Sequence, residues 1–168
     1  MMKEIFIATN NKGKAKDFEA LFLPFGIEVK TLADLPEAID VEETGVTFEE
    51  NAILKAEEVA KRFHTFVIAD DSGLEIDALN GEPGVYSARY AGEEKEDEKN
   101  IDKVLTKLAD VPENERTARF RCVLAVAAPN MKTVTVEGSC EGVITTERIG
   151  TEGFGYDPIF YVPQYNKT

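Results

Sequence analysis

Histidine, cysteine and long apolar segments are scarce in this sequence, and each shortage excludes a class of protein. The 168 residues include one histidine, His64, and two cysteines, so no Ser-His-Asp or Cys-His catalytic system is credible. Cys122 and Cys140 fit neither a zinc-binding spacing nor a disulfide framework, and the apolar pattern around Cys122 predicts a buried thiol. No segment approaches the roughly 20 apolar residues of a membrane-spanning helix, and the N-terminus lacks a signal-peptide pattern. We therefore expect a cytoplasmic protein with no membrane partner.

Positive charge is also in short supply. The chain has 19 lysines and arginines against 32 aspartates and glutamates, which gives a formal net charge of −13. Nucleic-acid binding needs a basic surface, so we expect no nucleic-acid partner. A small polyanionic ligand is still compatible with this charge, provided that a local basic cluster and a metal ion receive it.

The pattern of apolar residues predicts an α/β fold with a mixed sheet. Strand and helix signals alternate in the first half, whereas the second half is mostly β, and its antiparallel hairpin excludes a purely parallel sheet. Thr47 and Glu50 form a capping-box pattern at the start of the second helix. The chain shows no linker, and we expect one domain over 1–168. The predicted strands are 5–8, 27–29, 65–69, 74–78, 118–128, 133–136, 142–146 and 158–162. The first predicted helix follows the loop 9–14, the second begins at residue 48, and the third begins within 93–99.

Two adjacent carboxylates, Asp70 and Asp71, follow the apolar segment 65–69. Ser72-Gly73 comes next, where the glycine predicts a turn or a close backbone approach that interrupts the strand before it continues at 74–78. Two acids at a strand end suit a divalent metal or an activated water, whereas the plainer alternative is an aspartate that caps the turn.

Two further segments carry groups that suit phosphate and metal. The loop Thr9-Asn10-Asn11-Lys12-Gly13-Lys14 lies between the first strand and helix, where backbone N–H groups and lysines favour phosphate binding. It is not a Walker A loop, and polar loops of this composition are common in proteins. Lys55 lies at the edge of an apolar helix face, where it either extends to water or neutralises phosphate. Glu42 and Glu43 precede that helix, and a glutamate held near Asp71 would complete an oxygen site for Mg²⁺.

Near the end of the chain, Phe154-Gly155-Tyr156-Asp157 joins aromatic rings to a carboxylate. Aromatic residues beside glycine are typical of ring recognition, and they also pack strand ends.

Together these segments resemble the inosine triphosphate pyrophosphatases, a family that hydrolyses non-standard purine nucleoside triphosphates. The shared motifs span nearly the whole chain and occur in the family's order. They are TNNKGK at 9–14, EETGVTFEENAILKA at 42–56, ADDSGL at 69–74, PGVYSARYAG at 83–92, ARFRC at 118–122 and GFGYDPIF at 153–160.

The resemblance implies an elongated two-lobed α/β fold around a long mixed sheet with a deep central cleft, usually as a homodimer. It implies Mg²⁺-dependent conversion of ITP, dITP and XTP to the monophosphate and pyrophosphate. Asp71 would be the general base and a metal ligand, with Glu43, or Glu42 in its place, as the second ligand. Lys55 would act on the phosphates as a catalytic residue. The implied substrate-binding residues are Thr9, Asn10, Asn11, Lys12, Gly13, Lys14, Ser72, Arg89, Phe154, Gly155, Tyr156 and Asp157.

The family pattern continues past Thr168 into a segment with a lysine and a Ser-His-Arg motif that grips the purine. This chain stops at Thr168 and has neither, so we expect the C-terminal segment to be missing. A non-catalytic nucleotide-binding module, or a catalytically impaired truncated form, is therefore the alternative to an active pyrophosphatase.

Overall fold

The computed structural model describes residues 4–37 and 39–168. Within them it contains six β-strands and three α-helices, joined by loops and short 3₁₀ helices. The strands are β1 Glu4–Ile7, β2 Glu28–Thr31, β3 Val67–Ile76, β4 Thr117–Ala127, β5 Val134–Ile144 and β6 Phe160–Tyr161, and the helices are α1 Lys12–Phe22, α2 Phe48–Phe63 and α3 Asp97–Lys107.

The six strands form one mixed sheet in the order β2-β1-β3-β4-β5-β6. β1 pairs in parallel with both β2 and β3, with Ile7 opposite Thr31 and Ile68. β5 and β6 are antiparallel. The α/β class and the mixed sheet expected from the sequence are therefore confirmed.

The chain divides into two compact units, each with its own core. The first comprises Met1–Asp71 and Val123–Glu137, and the second comprises Ser72–Cys122 and Gly138–Thr168. The core of the first includes Ile5, Ile7 and Ile68. The core of the second is built around α3 and the segment that follows β5, with Ile101, Val104, Leu108, Tyr156 and Ile159 among its buried residues. The single-domain expectation and the expected cleft stay predictions.

Two predicted strand breaks are absent, and the predicted strand 158–162 is reduced to β6 because Asp157–Ile159 forms a 3₁₀ helix. β3 runs without interruption through Asp70, Asp71 and Ser72-Gly73 to Ile76, so the predicted turn is absent and the two carboxylates lie in the middle of a strand. The predicted strands 133–136 and 142–146 are parts of one eleven-residue strand, β5. Glycine was the misleading signal in both cases, because an extended glycine is compatible with a strand as well as with a turn.

The start of α2 follows its predicted pattern only in part. The Thr47 hydroxyl accepts a hydrogen bond from the Glu50 amide at 3.1 Å, as expected of an N-cap. The Glu50 carboxylate, however, accepts from the Val46 amide at 2.7 Å. The capping box is thus shifted by one residue, which ties the preceding loop to the helix.

Neither cysteine is fully buried, and the histidine lies at a helix end. Cys122 is half-buried, whereas the sequence predicted a buried thiol, and Cys140 is exposed. His64 ends α2 in a left-handed conformation with φ 50°. No helix among the described residues is long and apolar enough to span a membrane.

Candidate active site

The first unit brings a lysine from each of two helices to the paired carboxylates of β3. Lys14 lies in the first turn of α1, and its ammonium is 2.6 Å from Asp70 Oδ2. Lys55 lies in the middle of α2, and its ammonium is 3.8 Å from Asp71 Oδ1. Successive side chains of a strand point to opposite faces, which explains why adjacent aspartates pair with lysines from different helices.

Glu43 joins the second of these pairs. Its Oε1 lies 2.7 Å from the Lys55 ammonium, so one lysine contacts two carboxylates. Glu42 is exposed and makes no ion pair with any described residue. Of the two predicted alternatives for a metal ligand, Glu43 therefore contacts Lys55, which also contacts Asp71, whereas Glu42 does not.

The loop after β1 is shaped by its own side chains. Thr9 Oγ1 accepts a hydrogen bond from the Asn11 amide at 3.0 Å, and Asn11 Oδ1 caps α1 by accepting from the Lys14 amide at 3.1 Å. These bonds fix the first turn of α1, in which Lys12 and Gly13 carry N–H groups without intrahelical partners. Asn10 and Lys12 are exposed.

Burial and charge set the protonation of this cluster. Burial raises the pKa of Asp71 from 3.8 to about 6; Lys55 and Lys14 act against this shift and Glu43 adds to it. Asp71 Oδ2 is buried and accepts no hydrogen bond from the residues that the structure describes. Burial by itself lowers the pKa of Lys14, but the adjacent Asp70 carboxylate outweighs it, so the pKa is raised and the ammonium stays charged.

Sequence reasoning singled out Asp70 but missed that it is the direct partner of Lys14. It also missed Asn51, fully buried in α2, whose Oδ1 accepts from the Gly45 amide at 2.7 Å. A Cβ on Gly45 would lie 2.6 Å from that oxygen, so only glycine permits this contact, and the segment bearing Glu43 is held by it. An asparagine three residues after Phe48, on the apolar side of the helix, was the available signal.

The second unit contains the remaining predicted residues. Asp157 Oδ2 accepts a hydrogen bond from the Phe154 amide at 3.0 Å, and the Gly155 amide donates to Asp97 Oδ2 on α3 at 2.9 Å. One hydrogen bond within the loop and one to α3 therefore hold the loop that carries the half-buried Phe154. Arg89 stacks on the Tyr86 ring at 5.2 Å, and Ser72 is half-buried in β3.

The side chain of Tyr156 is buried and supports this loop through a hydrogen bond. Its hydroxyl donates to the Ser87 carbonyl at 2.6 Å, and burial raises its pKa, which keeps the donor protonated. Ser87 in turn accepts from the Leu74 amide at 2.9 Å and donates to the Gly84 carbonyl. This hydrogen bond indicates a role for Tyr156 in positioning the loop, and its predicted contact with substrate stays a prediction.

We expect Tyr156→Phe to lower the free energy of unfolding by about 1–2 kcal/mol, because a buried carbonyl loses its donor. Chemical denaturation measures this change. Tyr161→Phe is the matched control: it removes a hydroxyl that bonds to Asn166 at an exposed site, and its effect should stay within about 0.5 kcal/mol. Equal effects of the two substitutions would contradict the positioning role.

Comparison with known proteins finds relatives over nearly the whole chain. The Ham1 family model matches residues 5–168. The chain is 60% identical to a dITP/XTP pyrophosphatase of Halalkalibacterium halodurans, over 99% of this chain and 86% of the relative, and 58% identical to the Bacillus subtilis dITP/XTP pyrophosphatase, over 100% and 85%. Among solved structures, the Staphylococcus aureus Ham1 protein matches with a TM-score of 0.84 and 54% identity, over 99% of this chain and 84% of that chain.

Proposed function

The chain belongs to the Ham1 family, and we propose that it hydrolyses non-standard purine nucleoside triphosphates, namely ITP, dITP and XTP, to the monophosphate and pyrophosphate. The observation that carries this proposal is the cluster of Lys14, Lys55, Glu43 and Asp71 in the first unit. It combines two ammonium groups that suit phosphate oxygens with a buried carboxylate that suits a water molecule.

Asp71 is the proposed general base. Its pKa of about 6 leaves the carboxylate ionised at about pH 7.5 and more basic than an ordinary aspartate, which improves its ability to take a proton. A water oxygen attacks the α-phosphorus, its proton passes to Asp71, and the bond from the α-phosphorus to the bridging oxygen breaks to release pyrophosphate. The buried Oδ2 accepts no hydrogen bond from the described residues, and it is the proposed acceptor for this water or for a metal ion.

Lys14 and Lys55 are proposed to bind the phosphate oxygens. Lysine is a compact positive charge that neutralises phosphate without a fixed geometry. Together with the proposed metal ion, these two residues would supply the local positive charge with which a chain of formal net charge −13 receives a polyanion. Fixed positive groups near the leaving pyrophosphate stabilise the charge that develops there. The N–H groups in the first turn of α1, together with the loop before it, favour phosphate in the same way.

Mg²⁺ is the proposed cofactor, with Asp71 and Glu43 as its protein ligands. No group of three or more histidine, cysteine or acidic side chains with metal-site geometry occurs among the described residues. Mg²⁺ in nucleotide enzymes, however, commonly takes one or two carboxylates and completes its shell with water and phosphate oxygens. The donor set fits, because Asp71 offers a buried oxygen with no hydrogen-bond partner in the described chain. When bound, the ion would supply Lewis-acid stabilisation of phosphoryl charge.

Recognition of the purine is proposed to use the loop of the second unit, with Phe154 stacking on the base and Asp157 reading its edge. Discrimination against adenine follows if polar groups that pair with a 6-oxo base are left unpaired by the 6-amino group. Guanine keeps the 6-oxo group, so its rejection depends on its 2-amino group. The Asp157 carboxylate already accepts the Phe154 amide, so base reading and loop shape depend on the same side chain. Assembly as a homodimer is a further part of the proposal, which sedimentation equilibrium would test.

The first experiment is to measure pyrophosphate release from ITP and from ATP, with Mg²⁺ and with EDTA. We expect metal-dependent release from ITP, and ATP turnover at least about 100-fold slower, the scale that unpaired polar groups in a binding site can supply. Binding of ITP without pyrophosphate release would instead support the non-catalytic module, and equal turnover of both nucleotides would contradict the proposed specificity.

A further inference from the structure

The Lys55 ammonium occupies the position between the two carboxylates that are proposed to hold the metal. It lies 2.7 Å from Glu43 Oε1 and 3.8 Å from Asp71 Oδ1. All three side chains are largely buried, with 13% of Lys55, 27% of Glu43 and 7% of Asp71 exposed. Their charges are therefore poorly screened by solvent, and the ammonium partly neutralises a pair of acids that would otherwise repel each other.

We propose that Lys55 is a resident cation of this site, which holds Glu43 and Asp71 before nucleotide arrives and must leave them when a divalent metal binds. The proposal rests on the proposed function, because it takes the metal ligands from there. It adds a second role for Lys55, in which the same ammonium competes with the metal and afterwards contacts the phosphates.

Electrostatics explains why the two cations exclude each other. A metal that shared Glu43 and Asp71 would lie within a few ångströms of the Lys55 ammonium, and like charges at that distance in a buried site repel strongly. Glu43 Oε1 is the oxygen that Lys55 contacts most closely, whereas Asp71 Oδ2 is left without a hydrogen-bond partner among the described residues. Asp71 Oδ2 can accordingly bind the metal without giving up a hydrogen bond, whereas use of Glu43 Oε1 requires Lys55 to withdraw.

The substrate supplies a new partner for the displaced ammonium. Phosphate oxygens of a nucleoside triphosphate are strong acceptors for a lysine, so nucleotide lowers the cost of moving Lys55 away from Glu43. Metal and nucleotide then increase each other's affinity for the protein, because both ligands favour the same movement of Lys55. In the absence of nucleotide, the wild-type protein should bind Mg²⁺ weakly.

The test is calorimetric titration of the nucleotide-free protein with Mg²⁺ alone. We expect Lys55→Met to bind Mg²⁺ at least tenfold more tightly than wild type, because the competing charge is gone, and Lys55→Arg to stay close to wild type. Lys61→Met is the matched control: it removes a lysine charge from the same helix at an exposed position and should leave the affinity unchanged. An affinity in Lys55→Met equal to or weaker than that of the control would overturn the proposal.

A measurement on the wild-type protein covers the case in which Lys55→Met does not fold. Acetylation of lysines, followed by mass spectrometry, should show that saturating Mg²⁺ raises the labelling of Lys55 while the labelling of exposed Lys61 stays constant. Unchanged labelling of Lys55 at saturation would overturn the proposal. Failure of the proposed function looks different, since it would appear as absent pyrophosphate release in the assay with ITP, whatever Mg²⁺ does to Lys55.

Discussion

Asp71→Asn should slow pyrophosphate release from ITP by about 10²–10⁴-fold, the range over which positioned general bases act. Asparagine keeps the size of the side chain but cannot take a proton from water, and it weakens one of the two proposed metal ligands. Single-turnover release of pyrophosphate at about pH 7.5 measures the change in the chemical step. Asp17→Asn, at an exposed position of α1, is the control and should turn over at the wild-type rate.

The same substitution should stabilise the fold at high pH. Burial raises the pKa of Asp71 from 3.8 to about 6, so folding favours the neutral carboxyl and the ionised form costs free energy. This cost is absent below pH 3.8, grows between pH 3.8 and 6, and is fully present above pH 6. Asparagine carries no charge, so the substitution removes this free-energy cost. Lys55 keeps Glu43 as a partner and Lys14 keeps Asp70.

Denaturation in EDTA at pH 5 and pH 8 tests the sign of this effect. We expect Asp71→Asn to exceed wild type in free energy of unfolding by roughly 3 kcal/mol at pH 8 and by about half of that at pH 5, since one pKa unit corresponds to about 1.4 kcal/mol. A less stable variant at pH 8 would show that the Asp71 charge supports the fold.

In the kinetic experiment, pyrophosphate release by Asp71→Asn at the wild-type rate would reject Asp71 as the general base.

The sequence singled out most residues of this cluster but not their pairing. Lys14, Lys55 and Asp71 stood out beside apolar strand and helix patterns, and the family resemblance added Glu43, with Glu42 as its alternative. The partnership of Lys14 with Asp70 was missed, since the predicted turn at Ser72-Gly73 hid the alternation of side chains along β3. A continuous strand places Asp70 and Asp71 on opposite faces, and that geometry assigns them to different lysines.

Bonds between residues far apart in the chain were also beyond the sequence. Tyr156 looked like a ring for substrate contact, and only the folded chain shows its hydroxyl on the Ser87 carbonyl, 69 residues earlier. Asn51 and Gly45 are six residues apart, but their contact depends on how the loop before α2 folds back. Periodicity predicts which face of an element is buried, whereas the hydrogen bonds of buried polar groups depend on tertiary structure.

Removing the Lys14 side chain should have the largest effect on stability. Lys14→Met leaves the Asp70 carboxylate, whose side chain is 4% exposed, without the ammonium that lies 2.6 Å away. Breaking a buried ion pair from one side typically costs about 3–5 kcal/mol. Asp70→Asn should cost less, because the remaining Lys14 side chain is 24% exposed and its long stem lets the ammonium reach water.

A double-mutant cycle separates the pair from the individual residues. Urea denaturation of both single variants and of Lys14→Met with Asp70→Asn should show the double variant to be more stable than Lys14→Met, since no buried charge is then left over. Lys16→Met, at an exposed position of the same helix, should change stability by no more than about 0.5 kcal/mol. The prediction is contradicted if the two single substitutions lower the free energy of unfolding equally and their effects add. The ion pair would then be energetically neutral, and the Thr9 and Asn11 hydrogen bonds would hold Lys14 in the first turn of α1.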